Sequence, residues 1–130
     1  MQLSHDRAEG YFFVRATRER SIVVVDRELH RSFLMAPDQV VEDWPVAAVA
    51  DLDPASMRRI LDLEPEVVVL GTGLRQRFPA QAALIPLLTL GIGVEAMDNA
   101  AAARTYNLLA GEGRRVVAAF ILPGRPQPPT

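Results

Sequence analysis

The sequence predicts a single α/β domain with a mixed central sheet, and three observations support this prediction. The first third of the chain contains short runs of β-branched and aromatic residues, which are typical of strands. The remainder alternates continuous apolar runs with segments that show helix-start residues and helical spacing. Its 130 residues, 49% of them hydrophobic and 23% charged, fit one globular domain with its own core.

The β-rich third begins after a polar segment, residues 1–9, which we expect to be loose. Residues 11–14 and 22–25 have strand composition, and the charged cluster 18–20 between them predicts a hairpin turn. A third strand is expected at 32–35, where Pro37 stops it, and a short extended piece at 40–41. Trp44, which precedes Pro45, is expected to anchor a loop on the core.

The first helix and the central strand follow. Asp53 before Pro54 predicts a helix N-cap with proline in the first turn, and Met57 and Ile60 fall on one face. The helix should end before Pro65. Residues 66–71 form a continuous apolar run that ends in glycine, which predicts a strand buried on both faces of a mainly parallel sheet.

The chain then alternates two further helices with two further strands. Pro79 can open a second helix, which Pro86 should kink or shorten. A strand is expected at 91–95, and Asp98 or Asn99 can cap a third helix over 100–110. We expect its inward stripe to be Ala101, Thr105, Leu108 and Leu109.

The last strand is predicted at 114–122, and residues 123–130 form a proline-rich tail. The expected domain therefore covers residues 10–122. We expect three layers: β-structure, a mixed central sheet, and helices.

Composition excludes several classes of function. The chain contains no cysteine, which removes thiol nucleophiles and thiolate metal sites. All fourteen arginine and lysine positions are arginine, so the chain contains no lysine. This excludes a catalytic Schiff-base lysine and the lysine of a P-loop. The net charge of -2 disfavours nucleic-acid binding. Without a membrane-spanning apolar stretch or a signal-like N-terminus, the expected location is the cytoplasm. The sequence contains only two histidines and no complete set of catalytic residues. We therefore predict no metal and no cofactor, and we assign no reaction.

The first candidate site is the glycine turn after the central strand. Gly71, Gly73 and Arg75 lie where an open α/β sheet places its ligands, outside the carboxyl ends of its strands. Backbone amides there, together with Arg75 or Arg77, could bind an anion. A tight structural turn with solvated arginines is the alternative.

Two further candidates follow the next strand. Glu95 and Asp98 could act as an acid or base, or Asp98 could cap the helix while Glu95 forms an ion pair with Arg104 or Arg75. Arg104 and Asn107, three residues apart on the third helix, could orient a ligand or a partner, or form a solvated face. We expect the strands that end at Leu70 and Glu95 to be neighbours.

Three motifs taken together resemble one family: Gly71-Thr72-Gly73 followed by Pro79, the segment 91–98, and the segment 102–116. The sequence is similar to the domain-of-unknown-function family that includes mitochondrial complex I assembly factor 3, over most of residues 10–122. The resemblance implies a compact three-layer fold in which the glycine loop and the segment 95–98 come together. It also implies that no catalytic residues are established and that the eukaryotic member acts with a partner protein.

The leading functional hypothesis is therefore a bacterial, non-enzymatic protein-binding or assembly module. The alternative is a small anionic-ligand or enzymatic site at the strand ends near Gly71, Gly73 and Glu95. The oligomeric state stays open.

Overall fold

A computed structural model describes residues 10–124, which contain eight strands and three α-helices. The strands are β1 (Val14–Thr17), β2 (Ile22–Val24), β3 (Arg27–Leu29), β4 (Arg31–Ala36), β5 (Gln39–Val41), β6 (Val67–Gly71), β7 (Val94–Met97) and β8 (Val116–Pro123). The helices are α1 (Pro54–Leu61), α2 (Gln81–Leu88) and α3 (Asn99–Gly111), and a 3-10 turn spans Val49–Asp51. Two predicted parts lie outside the described residues: the loose segment 1–9 and residues 125–130 of the tail. The predicted tail began at Pro123, but this residue is the last one of β8.

The strands form two sheets. β1, β2 and β3 make a small antiparallel sheet, and a five-stranded mixed sheet has the order β5-β4-β8-β6-β7. β6 pairs in parallel with both β7 and β8, whereas β4 runs antiparallel to β5 and β8. Val68, Val69 and Leu70 of β6 have no exposed surface, as the apolar run predicted for a central strand.

The five-stranded sheet is the middle of three layers, so the predicted α/β architecture is confirmed. One face packs against the small sheet and α3, in a core that contains Phe33, Phe120 and Tyr106. The other face packs against α1 and α2, in a core that contains Met57 and Leu87. Each face of the large sheet therefore has its own apolar cluster.

Two helices begin at the capping residues that the sequence predicted. The Asp53 carboxylate accepts a hydrogen bond from the Ser56 amide at 2.8 Å, and Ser56 Oγ accepts one from the Asp53 amide at 3.0 Å. In α3, the Asp98 carboxylate accepts a hydrogen bond from the Ala101 amide at 2.8 Å. The indole N–H of Trp44 donates to the Ser56 carbonyl at 3.1 Å and thereby fixes the loop before α1.

The predicted inward stripe of α3 is only partly confirmed: Leu109 packs against the core, but none of the four predicted residues is fully buried. The helix buries Ala102, Ala103 and Tyr106, whereas Leu108 points outward with 63% of its surface exposed. Alanine lies on several sides of this helix, so apolar spacing alone did not distinguish its faces. Tyr106 decides the orientation, because its hydroxyl donates to the Phe12 carbonyl at 2.8 Å under the small sheet.

Several boundaries also differ from expectation. The strand expected at 91–95 is Val94–Met97, because Gly91, with φ of +74°, closes α2 by donating to the Leu88 carbonyl at 2.9 Å. The first strand starts at Val14 rather than at residue 11, and Arg27–Leu29 is a strand that no pattern indicated. The second helix runs from Gln81 to Leu88 and continues past Pro86, so this proline does not end it.

Candidate functional site

Three neighbouring parallel strands end at one edge of the large sheet, where α/β proteins place their ligands. The register pairs Gly71 of β6 with Met97 of β7 and with Phe120 of β8. A groove of about 780 Å³ lies at this edge, and we call it the strand-end groove. Its lining comes from the β1–β2 turn, the segment before α1, the loop after β6 and the end of β8: Glu19, Arg20, 47–50, Leu52, 72–75, Arg77, Phe78, Ala80 and 121–123.

Gly71 allows the start of α3 to approach the sheet closely. A Cβ atom at this position would lie 2.3 Å from Asn99 Oδ1 and 2.9 Å from Cδ1 of Phe120. The buried Asn99 side chain fills the space that a side chain at Gly71 would need. Its Nδ2 donates to the Ile121 carbonyl at 3.0 Å, and its Oδ1 accepts from the Gly73 amide at 3.1 Å. Asn99 thus connects β8, α3 and the loop after β6.

The loop after β6 is held by its own first residues. The Thr72 hydroxyl donates to the Arg75 carbonyl at 2.6 Å and accepts from the Arg77 amide at 3.1 Å. Gly73 has a φ of +105°. Its carbonyl accepts a hydrogen bond from the backbone N–H of Asn99 at 2.8 Å, so Gly73 and Asn99 bond to each other in both directions. These bonds fix the backbone from which Arg75 and Arg77 project. The Gly73 amide is already bonded to Asn99, so it is not free to bind an anion in the groove.

Three arginines line the strand-end groove. Arg20 comes from the β1–β2 turn, and Arg75 and Arg77 come from the loop after β6. Within residues 10–124, the structure gives none of their guanidinium groups a hydrogen bond or an ion pair. By contrast, Arg27 and Arg115 form ion pairs with carboxylates elsewhere on the fold. The groove therefore presents positive charge that is available to an anionic partner.

Five of the seven predicted site residues lie at three places near the strand ends. Gly73 and Arg75 line the strand-end groove, and Gly71 lies directly beneath it. Asp98 caps α3 and borders a small adjoining cavity that also contains Gly73. Glu95 is exposed in the middle of β7 and lines a different cavity with Gln76 and Phe78.

The two candidates on α3 lie apart from the groove. Arg104 is exposed on the helix and lines none of these three cavities. The amide of Asn107 bonds to the backbone of Val14, accepting from its N–H at 2.9 Å and donating to its carbonyl at 2.8 Å. Glu95 forms an ion pair with neither Arg75 nor Arg104. β6 and β7 are adjacent and parallel, as expected, so the exits of these strands do share an edge.

Sequence reasoning missed four residues of this region. Arg20 lies in a turn far from the glycine loop, and Asn99 was considered only as a cap. Leu74 and Phe78 lie at the groove with 68% and 78% of their surfaces exposed. The sequence could have indicated Leu74 and Phe78, because they are two large apolar residues in an otherwise polar loop. Such residues are unfavourable in water unless a partner covers them.

The apolar exposure continues along α2. Among residues 10–124, five of the six large apolar side chains that are exposed lie between positions 74 and 90. We call this group the apolar surface: Leu74, Phe78, Ile85, Leu88 and Leu90. No charged residue occurs from Phe78 to Val94.

Two negative findings apply to the part of the chain that the structure describes. In residues 10–124 no group of three or more histidine, aspartate or glutamate side chains could hold a metal ion. No helix in that range is both long and apolar enough to cross a bilayer, and α3, with 13 residues, is the longest.

Solved structures of similar proteins share this fold. An NMR structure from Xanthomonas campestris is 48% identical, covers 95% of this chain and 94% of that chain, and superposes with a TM-score of 0.80. A crystal structure from Bordetella parapertussis is 41% identical, covers 86% of this chain and 96% of that chain, and has a TM-score of 0.81. Both were determined as structural genomics targets.

Named relatives include an assembly factor and a membrane protein. The chain is 33% identical over 113 residues to NADH dehydrogenase [ubiquinone] 1 alpha subcomplex assembly factor 3 of Bos taurus, covering 85% of this chain. It spans 61% of the length of that bovine protein. It is 26% identical over 117 residues to the 13 kDa major membrane protein of Francisella tularensis, covering 89% of this chain and 95% of that protein.

A family model described as protein of unknown function (DUF498/DUF598) matches residues 14–121, which include most of the strand-end groove and most of the two cores. The resemblance that the glycine loop and the α3 motif indicated is thereby confirmed. The chain belongs to the DUF498/DUF598 family.

Proposed function

We propose that this protein is a non-enzymatic protein-binding module that acts in the assembly of a larger complex. The observation that supports this function best is the apolar surface on the segment 74–90. Exposing large apolar side chains to water costs free energy unless a partner covers them, which is why groups of such side chains are typical of interaction sites.

A comparison of α1 with α2 strengthens this argument. The two helices have the same length and cover the same face of the large sheet. α1 is amphipathic: it buries Met57 and Ile60 and exposes Arg58. α2 buries Leu87 yet exposes Ile85 and Leu88, so it is apolar on both sides. A helix that is apolar all round is normally buried all round, which makes the outer side of α2 a binding surface.

The relatives suggest what kind of assembly this is. Several are named assembly factors of an NADH dehydrogenase, and the alignment with the bovine protein covers 85% of this chain. We therefore propose that the bacterial protein assists a respiratory complex and acts in the cytoplasm. Cell fractionation tests the location, and recovery of the protein with the periplasmic or outer-membrane fraction would refute it.

The predicted site residues receive different roles in this proposal. Arg75 is proposed as a contact residue for the partner, because its guanidinium group is exposed at the groove. Gly71, Gly73 and Asp98 are proposed to position the loop and the start of α3 beside it. Asn107 is proposed to hold the small sheet in place. Glu95 on β7 and Arg104 on α3 stay candidate contacts for the partner outside the strand-end groove.

Site-specific crosslinking tests the proposed function. A photoreactive residue at position 90 of the tagged chain, where Leu90 is exposed, should crosslink in cells to one defined protein. The double variant Ile85→Asp/Leu88→Asp should abolish recovery of that protein. The matched control Leu108→Asp, which alters an exposed leucine on α3, should leave recovery unchanged.

Deletion of the gene provides the functional arm of the test. We expect reduced NADH:quinone activity in membranes, restored by the wild-type chain and not by the Ile85→Asp/Leu88→Asp variant. Equal recovery of the crosslinked protein by that variant would refute the role of the apolar surface. Normal respiratory activity after deletion would refute the link to a respiratory complex.

A second candidate function is the binding of a small anionic metabolite in the strand-end groove. The three unpaired arginines favour it, and the volume of about 780 Å³ is within the usual range for ligand pockets. A thermal-shift screen of nucleotides, phosphosugars and carboxylates tests it. A ligand at 100 times its Kd adds about 2.7 kcal/mol of stability, which such a screen detects. The absence of any shift would refute this candidate.

A further inference from the structure

The lining of the strand-end groove has a charge opposite to that of the whole chain. Arg20, Arg75 and Arg77 contribute three positive charges and Glu19 contributes one negative charge, so the lining has a net charge of +2. The chain has a net charge of -2. Positive charge is therefore concentrated at this edge of the sheet, where it attracts a negatively charged occupant.

The chemistry of these side chains suggests carboxylates. A guanidinium group binds a carboxylate through two parallel hydrogen bonds, a geometry that Arg27 and Glu42 adopt elsewhere on this protein. Arg75 and Arg77 project from a loop that Thr72 fixes by hydrogen bonds to the backbone of both residues. Because this backbone is ordered in advance, a ligand loses little free energy in organising it.

The groove also requires apolar groups from its occupant. Leu74 and Phe78 expose 68% and 78% of their surfaces beside the arginines, and Leu52 and Ile121 contribute apolar lining. An inorganic anion or a sugar phosphate would neutralise the arginines and leave these side chains in water. A peptide that combines carboxylates with large apolar side chains would satisfy both requirements.

We propose that the strand-end groove binds a linear acidic segment of a partner protein, in which glutamate or aspartate lies near leucine or phenylalanine. The inference rests on the proposed function and specifies the chemistry of the partner. The carboxylates pair with Arg20, Arg75 and Arg77, and the apolar side chains cover Leu74 and Phe78.

Fluorescence anisotropy with synthetic peptides tests this proposal on the full chain. The probe is a labelled short peptide that contains glutamates, leucines and one phenylalanine. It should bind, and replacing its glutamates by glutamine, or its apolar residues by glycine, should weaken binding about tenfold or more. Salt should weaken binding of the acidic peptide, because exposed charges are screened.

Variants of the chain locate the site. Arg75→Gln/Arg77→Gln should weaken binding of the acidic peptide about tenfold or more. Arg58→Gln, which alters an exposed arginine of α1 outside the groove, should not change it. Circular dichroism establishes that both variants are folded. Weakening by Arg58→Gln as large as that by Arg75→Gln/Arg77→Gln would overturn the assignment to the groove.

Other probes separate the alternatives. Inorganic phosphate or a single-stranded oligonucleotide that displaces the peptide, with no effect of its apolar residues, would overturn the proposal in favour of an anion site. No binding of any peptide would also overturn it. The proposed function would survive either outcome if the Ile85→Asp/Leu88→Asp variant still loses its crosslinked protein, so the two failures are distinguishable.

Discussion

Gly71 at the end of β6 and Asn99 at the start of α3 compete for one space: a Cβ atom on Gly71 would lie 2.3 Å from Asn99 Oδ1. Because Gly71 has no side chain, the Asn99 amide can reach both the Gly73 N–H and the Ile121 carbonyl. These two bonds tie the loop after β6 to the end of β8. The shape of the strand-end groove therefore depends on this pair.

Gly71→Ala should lower the free energy of unfolding by about 1–3 kcal/mol, the usual cost of inserting a methyl group into a closely packed core. Urea denaturation followed by circular dichroism measures this change. Gly93→Ala is the matched control, because a Cβ atom there meets nothing within 4 Å and the backbone φ is not left-handed. Equal stabilities of the two variants would show that α3 moves away without cost.

Asn99→Ala should destabilise the protein by about 1–3 kcal/mol, because the buried Ile121 carbonyl loses its donor from the asparagine side chain. The loop after β6 should also loosen, since the Gly73 amide loses the oxygen that accepts its hydrogen bond. Amide hydrogen exchange should therefore become faster at Gly73 than in the wild type. Unchanged exchange at that amide would contradict the role assigned to Asn99.

Asn107→Ala should loosen the attachment of the small sheet to α3. The variant loses both hydrogen bonds between the asparagine side chain and the Val14 backbone, and we expect a loss of about 1–3 kcal/mol of stability. Hydrogen exchange at the Val14 amide should increase at the same time. Leu108→Ala on the adjacent, exposed position serves as control and should change stability by no more than about 0.5 kcal/mol.

Glu28 should make stability depend on pH. Its carboxylate accepts hydrogen bonds from Ser21 Oγ at 2.5 Å and from Arg18 Nη1 at 2.8 Å. These bonds hold the pKa of Glu28 below its ordinary value of 4.5, and the bond from Ser21 contributes most to this lowering. The ionised carboxylate therefore stabilises the fold above pH 4.5, and this contribution is lost as the pH falls through the lower, folded-state pKa.

The measurement compares the wild type with Glu28→Gln in urea denaturation from neutral pH to about pH 3. The variant should be less stable at neutral pH, and the difference should shrink as the medium becomes acidic. Glu19→Gln is a suitable control, because Glu19 makes no ion pair with any residue in the range 10–124. A difference for Glu28→Gln that stays constant with pH would contradict the expected linkage.

Local patterns predicted the elements that depend on neighbouring residues. Asp53 and Asp98 cap their helices as expected, because an N-cap requires only a side-chain oxygen two or three residues before a free amide. The apolar run of β6 predicted a doubly buried strand for a similar reason. The pattern failed at β7, where Gly91 and Ile92 end α2 instead of starting a strand.

The sequence by itself determined the α/β class, the family, and the placing of a glycine loop at the end of a central strand. Only the tertiary structure decided that Arg20 shares a groove with Arg75 while Glu95 and Arg104 lie elsewhere. The physical reason is that caps and buried runs arise from contacts within a few residues. The meeting of the β1–β2 turn with the loop after β6 depends instead on sheet register and on the close approach of α3 at Gly71.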